Sequence, residues 1–146
     1  MKTLYNQILP GLFMGGTAND DVVHVGNGGN YRVTARDFDT VVTMYSYANP
    51  VDWNVKEYRY GIYDSIIADI NLPRLERLVE EAYSSWKNGE RVLIRCQAGL
   101  NRSGLVTALV LMRDGYCARE AIELIREKRS PEALFNDHYV DWLLAS

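Results

Sequence analysis

The sequence predicts an α/β domain built on a central mixed sheet of about five strands flanked by helices. Three observations carry this. Short β-branched or apolar runs recur along the chain, such as TVVTMY at 40–45 and VLI at 92–94. Segments with helical apolar periodicity accompany them from residue 71 onward and dominate the last third. A chain of 146 residues with 47% apolar content can bury one core around a sheet. The same length fits a single domain over residues 1–146, with no linker, low-complexity tract or internal repeat.

The elements follow in order. Leu4–Ile8 and Leu12–Met14 read as short strands turned by Pro10-Gly11. Val22–Val33, VVHVGNGGNYRV, reads as a hairpin with a Gly/Asn turn longer than two residues, or as an ordered surface loop. Thr40–Tyr45 is a β-branched run suited to a buried strand, and Val55–Ile62 is a second strand with alternating character. Asn71 can cap a helix through Lys87, with Pro73 tolerated in the first turn. Leu72, Leu75, Leu78, Val79, Ala82 and Trp86 share one face of it, which should pack on the sheet. Asn88-Gly89 offers a left-handed cap. Val92-Leu93-Ile94, inside Arg91–Arg95, is short enough for an inner strand. Ser103 to about Asp114 is a helix apolar nearly all round, hence central. Ala118–Lys128 turns Ala121, Ile122 and Ile125 inward, and the charges from Glu120 to Arg129 read as a solvated face. Asn136 can cap a last helix to Leu144.

Composition excludes several functions. A net charge of −3 argues against a protein that grips many nucleic-acid phosphates. The two cysteines, Cys96 and Cys117, form neither a disulfide framework nor a CxxC pair, and His24 and His138 lie far from both, so no metal site is expected. The opening MKTLYNQILPGLF lacks the apolar core of a secretory signal, and no run approaches a membrane span. A reducing, cytoplasmic setting fits, where a free thiol can serve chemistry.

The informative segment is Ile94-Arg95-Cys96-Gln97-Ala98-Gly99-Leu100-Asn101-Arg102-Ser103-Gly104, between a strand and a buried helix. Such a unit points several backbone N–H groups at one spot at the positive end of a helix dipole, and successive amides can form an anion nest. Gly99 permits backbone angles that other residues resist. Five residues separate Cys96 from Arg102. In a loop wrapped round a small tetrahedral anion, that spacing can set the thiol below the phosphorus and the guanidinium beside the oxygens. A planar guanidinium suits phosphate because it donates two parallel hydrogen bonds. A thiol at a helix N-terminus among cations is readily a thiolate, and the thiolate is the nucleophile. A lone buried cysteine is more often a small hydrophobe. The whole Cys-x5-Arg-Ser string reverses that balance.

This segment resembles the phosphate-binding loop of the protein tyrosine phosphatases. The chain as a whole is similar to their dual-specificity branch: QILPGLFMGG to its first hairpin, VVTMYS to its central strand, and AIELIREKRSP with Asn136 and Tyr139 to its closing helices. Val22–Ala35 is the main unmatched stretch. The resemblance implies metal-independent hydrolysis of phosphomonoesters, with no cofactor, on phosphorylated protein or peptide substrates: phosphotyrosine foremost, phosphoserine or phosphothreonine besides. It implies Cys96 as nucleophile forming a phosphocysteine and Arg102 as clamp on two oxygens. It further implies the backbone amides of Gln97, Ala98, Gly99, Leu100, Asn101 and Arg102 around the equatorial oxygens. Ser103 would assist the departure of the cysteine, its alternative being a helix N-cap. The general acid would be Asp64, in GIYDS, with Asp69 as competitor. The family usually places His before the cysteine. Arg95 stands there in this chain; a guanidinium would favour the charged sulfur over the neutral thiol, and, if buried, would itself need a carboxylate or backbone carbonyl partner.

Among the remaining residues, Cys117 reads as a surface or packing residue and His24 as structural or solvent-facing. Trp53, Tyr45 and Tyr47 lie near loops that could border the pocket. Two other functions compete. GLNRSG also resembles the loop of RNA 5′-triphosphatases of the same superfamily, and Arg95 alone suggests a non-catalytic phosphate-binding module. Phosphoinositides fit less well, because no lysine lies between Cys96 and Arg102.

Overall fold

A computed structural model describes residues 4–17 and 37–146 of the chain. Five strands form one sheet in the order β1-β2-β5-β3-β4: β1 (Tyr5–Leu9), β2 (Leu12–Gly15), β3 (Thr40–Thr43), β4 (Lys56–Arg59) and β5 (Val92–Arg95). β1 and β2 pair antiparallel around Pro10-Gly11, and the other three pairings are parallel, so the sheet is mixed as expected. The Val22–Val33 segment and His24 lie outside the described residues.

β5 is central because its residues are apolar enough to be covered on both faces. All four of its residues are buried. Val92 and Ile94 face the main core, and Leu93 faces a smaller cluster with Phe38, Val41 and Val55. Four helices supply the main core: α1 (Leu72–Lys87), α2 (Arg102–Arg113), α3 (Ala118–Lys128) and α4 (Asp137–Leu144). Among the described residues, all four pack on one face, and the smaller cluster contains no helical residue. The expectation of flanking helices is met on that one face.

Two of the helices begin where capping chemistry says they should. Asn71 accepts the Arg74 N–H and Asn136 accepts the His138 N–H, each satisfying an otherwise orphaned first-turn donor. α1 buries Leu75, Leu78, Val79 and Ala82, while Trp86 is half-buried and donates its indole N–H to the Pro10 carbonyl. Gly89 has φ of +90°, the left-handed cap expected of Asn88-Gly89. α2 is buried along most of its length, from Ser103 through Leu111. It starts at Arg102, one residue earlier than the sequence suggests, because Leu105 already donates to the Asn101 carbonyl. The fourth strand is shorter than Val55–Ile62. Beyond Arg59 the chain keeps only isolated bonds to β3 and its extension, Tyr60 to Thr43 and Ile62 to Met44. That release from the sheet edge frees residues 61–65 to bend over the end of β5. No helix of the described residues is long and apolar enough to cross a membrane.

Candidate active site

The turn from β5 into α2 is shaped by where its carbonyls go. Every carbonyl from residue 97 to 101 accepts a hydrogen bond from elsewhere in the protein. Gln97 receives the Thr17 N–H, Leu100 the Leu134 N–H, and Asn101 the Leu105 N–H. Ala98 and Gly99 receive the Arg129 guanidinium, at 3.3 and 3.0 Å. By contrast, no N–H of residues 97–102 donates to a protein acceptor among the described residues. With the carbonyls engaged elsewhere, a run of amides at the N-terminus of α2 stays available to an external acceptor. That is the arrangement an anion nest would use.

Two glycines permit the wrap. Gly99 sits at φ +74°, and a Cβ there would lie 2.5 Å from the carbonyl carbon of Gly15 and 2.6 Å from the nitrogen of Gly16. A Cβ on Gly16 would lie 2.6 Å from the Gln97 carbonyl oxygen. Apart from an Arg129 guanidinium nitrogen at 2.6 Å from a Cβ on Gly99, the obstacles are backbone and cannot swing away. Gly99→Ala is therefore expected to lower stability by about 2 kcal/mol or more. It should also weaken inorganic phosphate binding, as read by urea unfolding and phosphate titration. Wild-type values in both would show that the loop does not need this conformation.

The predicted residues gather around this nest. Cys96 is buried, and its Sγ lies 3.3 Å from the Ser103 Oγ. Ser103 is not the helix cap: it lies inside the first turn of α2, its hydroxyl on the sulfur and its carbonyl accepting from Thr107. Arg102 is half-buried. One of its terminal nitrogens donates to the Ile62 carbonyl at 2.9 Å, and its Cζ stands 5.3 Å from the centre of the Tyr45 ring. Asp64 is docked onto the loop by two side-chain amides, one per oxygen: Asn101 Nδ2 at 2.8 Å and Asn136 Nδ2 at 2.7 Å. Asp69 belongs to a 3-10 turn, Ile67–Asp69, and accepts the Ser65 hydroxyl instead. Trp53 is 94% exposed and Cys117 is exposed at the start of α3. The described residues contain no group of three His, Cys, Asp or Glu that could hold a metal ion.

Three side chains have roles at the site that the sequence does not show, although the loop position of Asn101 and the family match of Tyr139 do appear there. Arg129, read as part of a solvated face, is half-buried at the end of α3 and holds the loop. Burial pulls its guanidinium below its ordinary pKa, opposed by the nearby Cys96 sulfur. Asn101 uses its side chain to tie together Asp64 and the Asn136 N–H. Tyr139 is fully buried and donates to the Tyr63 carbonyl. Burial first, then the charges of Asp64 and Cys96, push its phenol up to about 12, against the opposing effect of Arg102. Arg95 finds the partners that its buried charge is expected to need. Alternation along β5 puts its side chain on the Leu93 face, opposite Ile94. There it meets both kinds of partner an enclosed cation needs, the Glu57 carboxylate and the Asn49 carbonyl.

The dual-specificity phosphatase catalytic-domain family matches residues 53–146, close to two thirds of the chain. The chain belongs to that family. Among known proteins it is 29% identical, over 94 residues, to a putative tyrosine phosphatase of Invertebrate iridescent virus 6, a stretch that spans 64% of each chain. Its fold is similar to that of human DUSP28, with a TM-score of 0.79 at 21% identity, covering 99% of this chain and 93% of that one. It is also similar to Tk-PTP in its active form, with a TM-score of 0.73 at 26% identity, covering 99% and 97%. The mixed five-stranded sheet under four helices is thus the phosphatase α/β fold, and this dual-specificity phosphatase domain places its nest at the carboxyl end of the central strand.

Proposed function

We propose that this phosphatase domain hydrolyses phosphomonoesters without a metal, through a phosphocysteine on Cys96, with phosphotyrosine in proteins or peptides as its foremost substrate. Membership of the family supports phosphoester hydrolysis as the chemistry. One observation carries the reading to this site: the loop satisfies its carbonyls outward and leaves six consecutive N–H groups without a protein acceptor among the described residues. An anion would supply the missing acceptors for several of these N–H groups at once, which separate waters would do less well.

In the proposed sequence, the Cys96 thiolate attacks phosphorus in line with the ester oxygen. The nest and Arg102 stabilise the charge on the three equatorial oxygens. Asp64 gives its proton to the departing oxygen, and in the second step takes one from the attacking water. Ser103, 3.3 Å from the sulfur, donates to it as it leaves the phosphorus. Arg129 and Asn101 act on this chemistry by position, the first through the loop carbonyls and the second through Asp64. Both cysteines are free thiols, and a reducing compartment such as the cytoplasm would keep Cys96 in the form the reaction needs.

Asp64→Asn tests the acid. It should lower kcat for an alkyl phosphate or phosphotyrosine roughly 10²- to 10³-fold, and much less for p-nitrophenyl phosphate, whose leaving group needs little protonation. Asp69→Asn should stay near wild type on both. A large loss in Asp69→Asn, or an equal loss on good and poor leaving groups in Asp64→Asn, would move the acid elsewhere.

A further inference from the structure

Arg95 is the largest fully buried side chain of the described protein, with 1% of its surface exposed, and the proposed chemistry gives it no part. Its surroundings form a set. Its Nε donates to the Thr43 hydroxyl at 3.1 Å. One terminal nitrogen reaches the Asn49 carbonyl at 2.8 Å and lies 3.5 Å from Glu57 Oε2. That same carboxylate oxygen accepts Thr43 Oγ1 at 2.6 Å and Arg59 at 2.9 Å. Arg59 then spreads over the loop after β3, donating to the carbonyls of Ser46 at 3.2 Å, Ala48 at 2.8 Å and Asn49 at 3.2 Å, with Tyr45 at 3.4 Å.

Two guanidiniums sharing one carboxylate therefore gather the carbonyls of residues 45, 46, 48 and 49. The geometry explains why arginine stands here. Arg95 lies on β5 and Glu57 on β4, with β3 between them. Two strand spacings amount to about 10 Å, which an arginine and a glutamate can close between them and an imidazole cannot. The loop so held carries two tyrosines. Tyr45 is buried beneath Arg102. Tyr47 packs edge-on against Tyr45, centroids 5.8 Å apart, with 55% of its own surface exposed.

We propose that Arg95 and Arg59 are positioning residues: through Glu57 they fix the 45–49 loop so that Tyr47, backed by the buried Tyr45 next to Arg102, forms an aromatic wall, and this wall receives the aryl ring of an aromatic phosphomonoester. The inference rests on the proposed reading of the nest as a phosphomonoester site. It assigns Arg95 to substrate fit, away from the activation of the thiol.

Binding of phenylphosphonate and of inorganic phosphate, both inert to hydrolysis, separates the two. Tyr47→Ala should weaken phenylphosphonate roughly three- to tenfold, the range of a single aromatic contact, and leave inorganic phosphate within about twofold. Arg95→Met should do the same and speed amide exchange across residues 45–49. The pH profile of Cys96 alkylation by iodoacetate should not move. Glu57→Gln serves in its place if Arg95→Met does not fold. Phenylphosphonate affinity unchanged in Tyr47→Ala overturns the wall. Equal loss of both ligands, or a shifted alkylation profile in Arg95→Met, overturns the positioning role. A wild-type protein that binds both ligands and shows these differences yet hydrolyses no phosphomonoester would leave the wall standing and sink the proposed activity instead.

Discussion

Cys96→Ser is expected to lower turnover of p-nitrophenyl phosphate by roughly 10⁴-fold or more while leaving oxyanion binding intact. The two effects separate because they rest on different atoms. Attack requires a nucleophile that is anionic near neutral pH; a thiol can meet that condition in a cationic nest, and a serine hydroxyl cannot. Binding rests on the amides of residues 97–102 and on Arg102, and none of these depends on sulfur. Their orientation is imposed from outside the nest, by Thr17, Arg129 and Leu134 on the loop carbonyls. Serine is smaller than cysteine, and its hydroxyl can still pair with Ser103. Affinity for inorganic phosphate should hold or rise, since a neutral hydroxyl does not repel the anion as a thiolate does. Isothermal titration with phosphate, beside steady-state kinetics, reads both. Residual turnover within about a hundredfold of wild type in a purified variant would remove Cys96 from the nucleophile role. Lost phosphate binding in a folded variant would mean that the sulfur shapes the nest itself.

The sheet, the helix faces and the strand–loop–helix unit are legible in the sequence because each is a local signal. Asn71, Asn136 and Gly89 cap the helices as their residue types require. The alternation of β5 places Ile94 and Leu93 on opposite faces. Cys96, Arg102 and Ser103 lie within one turn and its helix, so spacing alone brings them together. What escapes the sequence is non-local. Arg129 sits at the end of an amphipathic helix whose other charges are solvated, and nothing in that pattern marks one arginine as turning back onto a loop 30 residues away. Asn101 and Asn136 meet over Asp64 only because α4 returns beside the nest. For Arg95 the non-local part is its partners: strand alternation sends its side chain to the Leu93 face, but only the fold brings the Glu57 carboxylate and the Asn49 carbonyl there.

Arg102→Lys should reduce kcat/KM roughly 10³-fold, with KM rising and kcat falling together. The fall follows from donor geometry. A guanidinium has five N–H groups in a fixed plane. Here one terminal nitrogen is tethered to the Ile62 carbonyl at 2.9 Å, and the Tyr45 ring lies beside the group. The tether aligns the plane before substrate arrives and leaves N–H groups for two phosphate oxygens, in the ground state and at the transition state alike. A lysine ammonium keeps the charge but is a point donor on a flexible stem. To reach the phosphate it must release Ile62, and it then faces one oxygen where the arginine faces two. Loss of the tether also frees residues 62–64, so Asp64 should lose part of its alignment. Arg102 is only half-buried, so the variant should fold, and its urea midpoint should stay close to that of the wild type. Phenylphosphonate and inorganic phosphate should both bind more weakly, in contrast to Tyr47→Ala, where only the aryl ligand suffers. An Arg102→Lys protein with kcat/KM within tenfold of wild type would show that charge alone suffices at this position, and the two-point clamp would have to be abandoned.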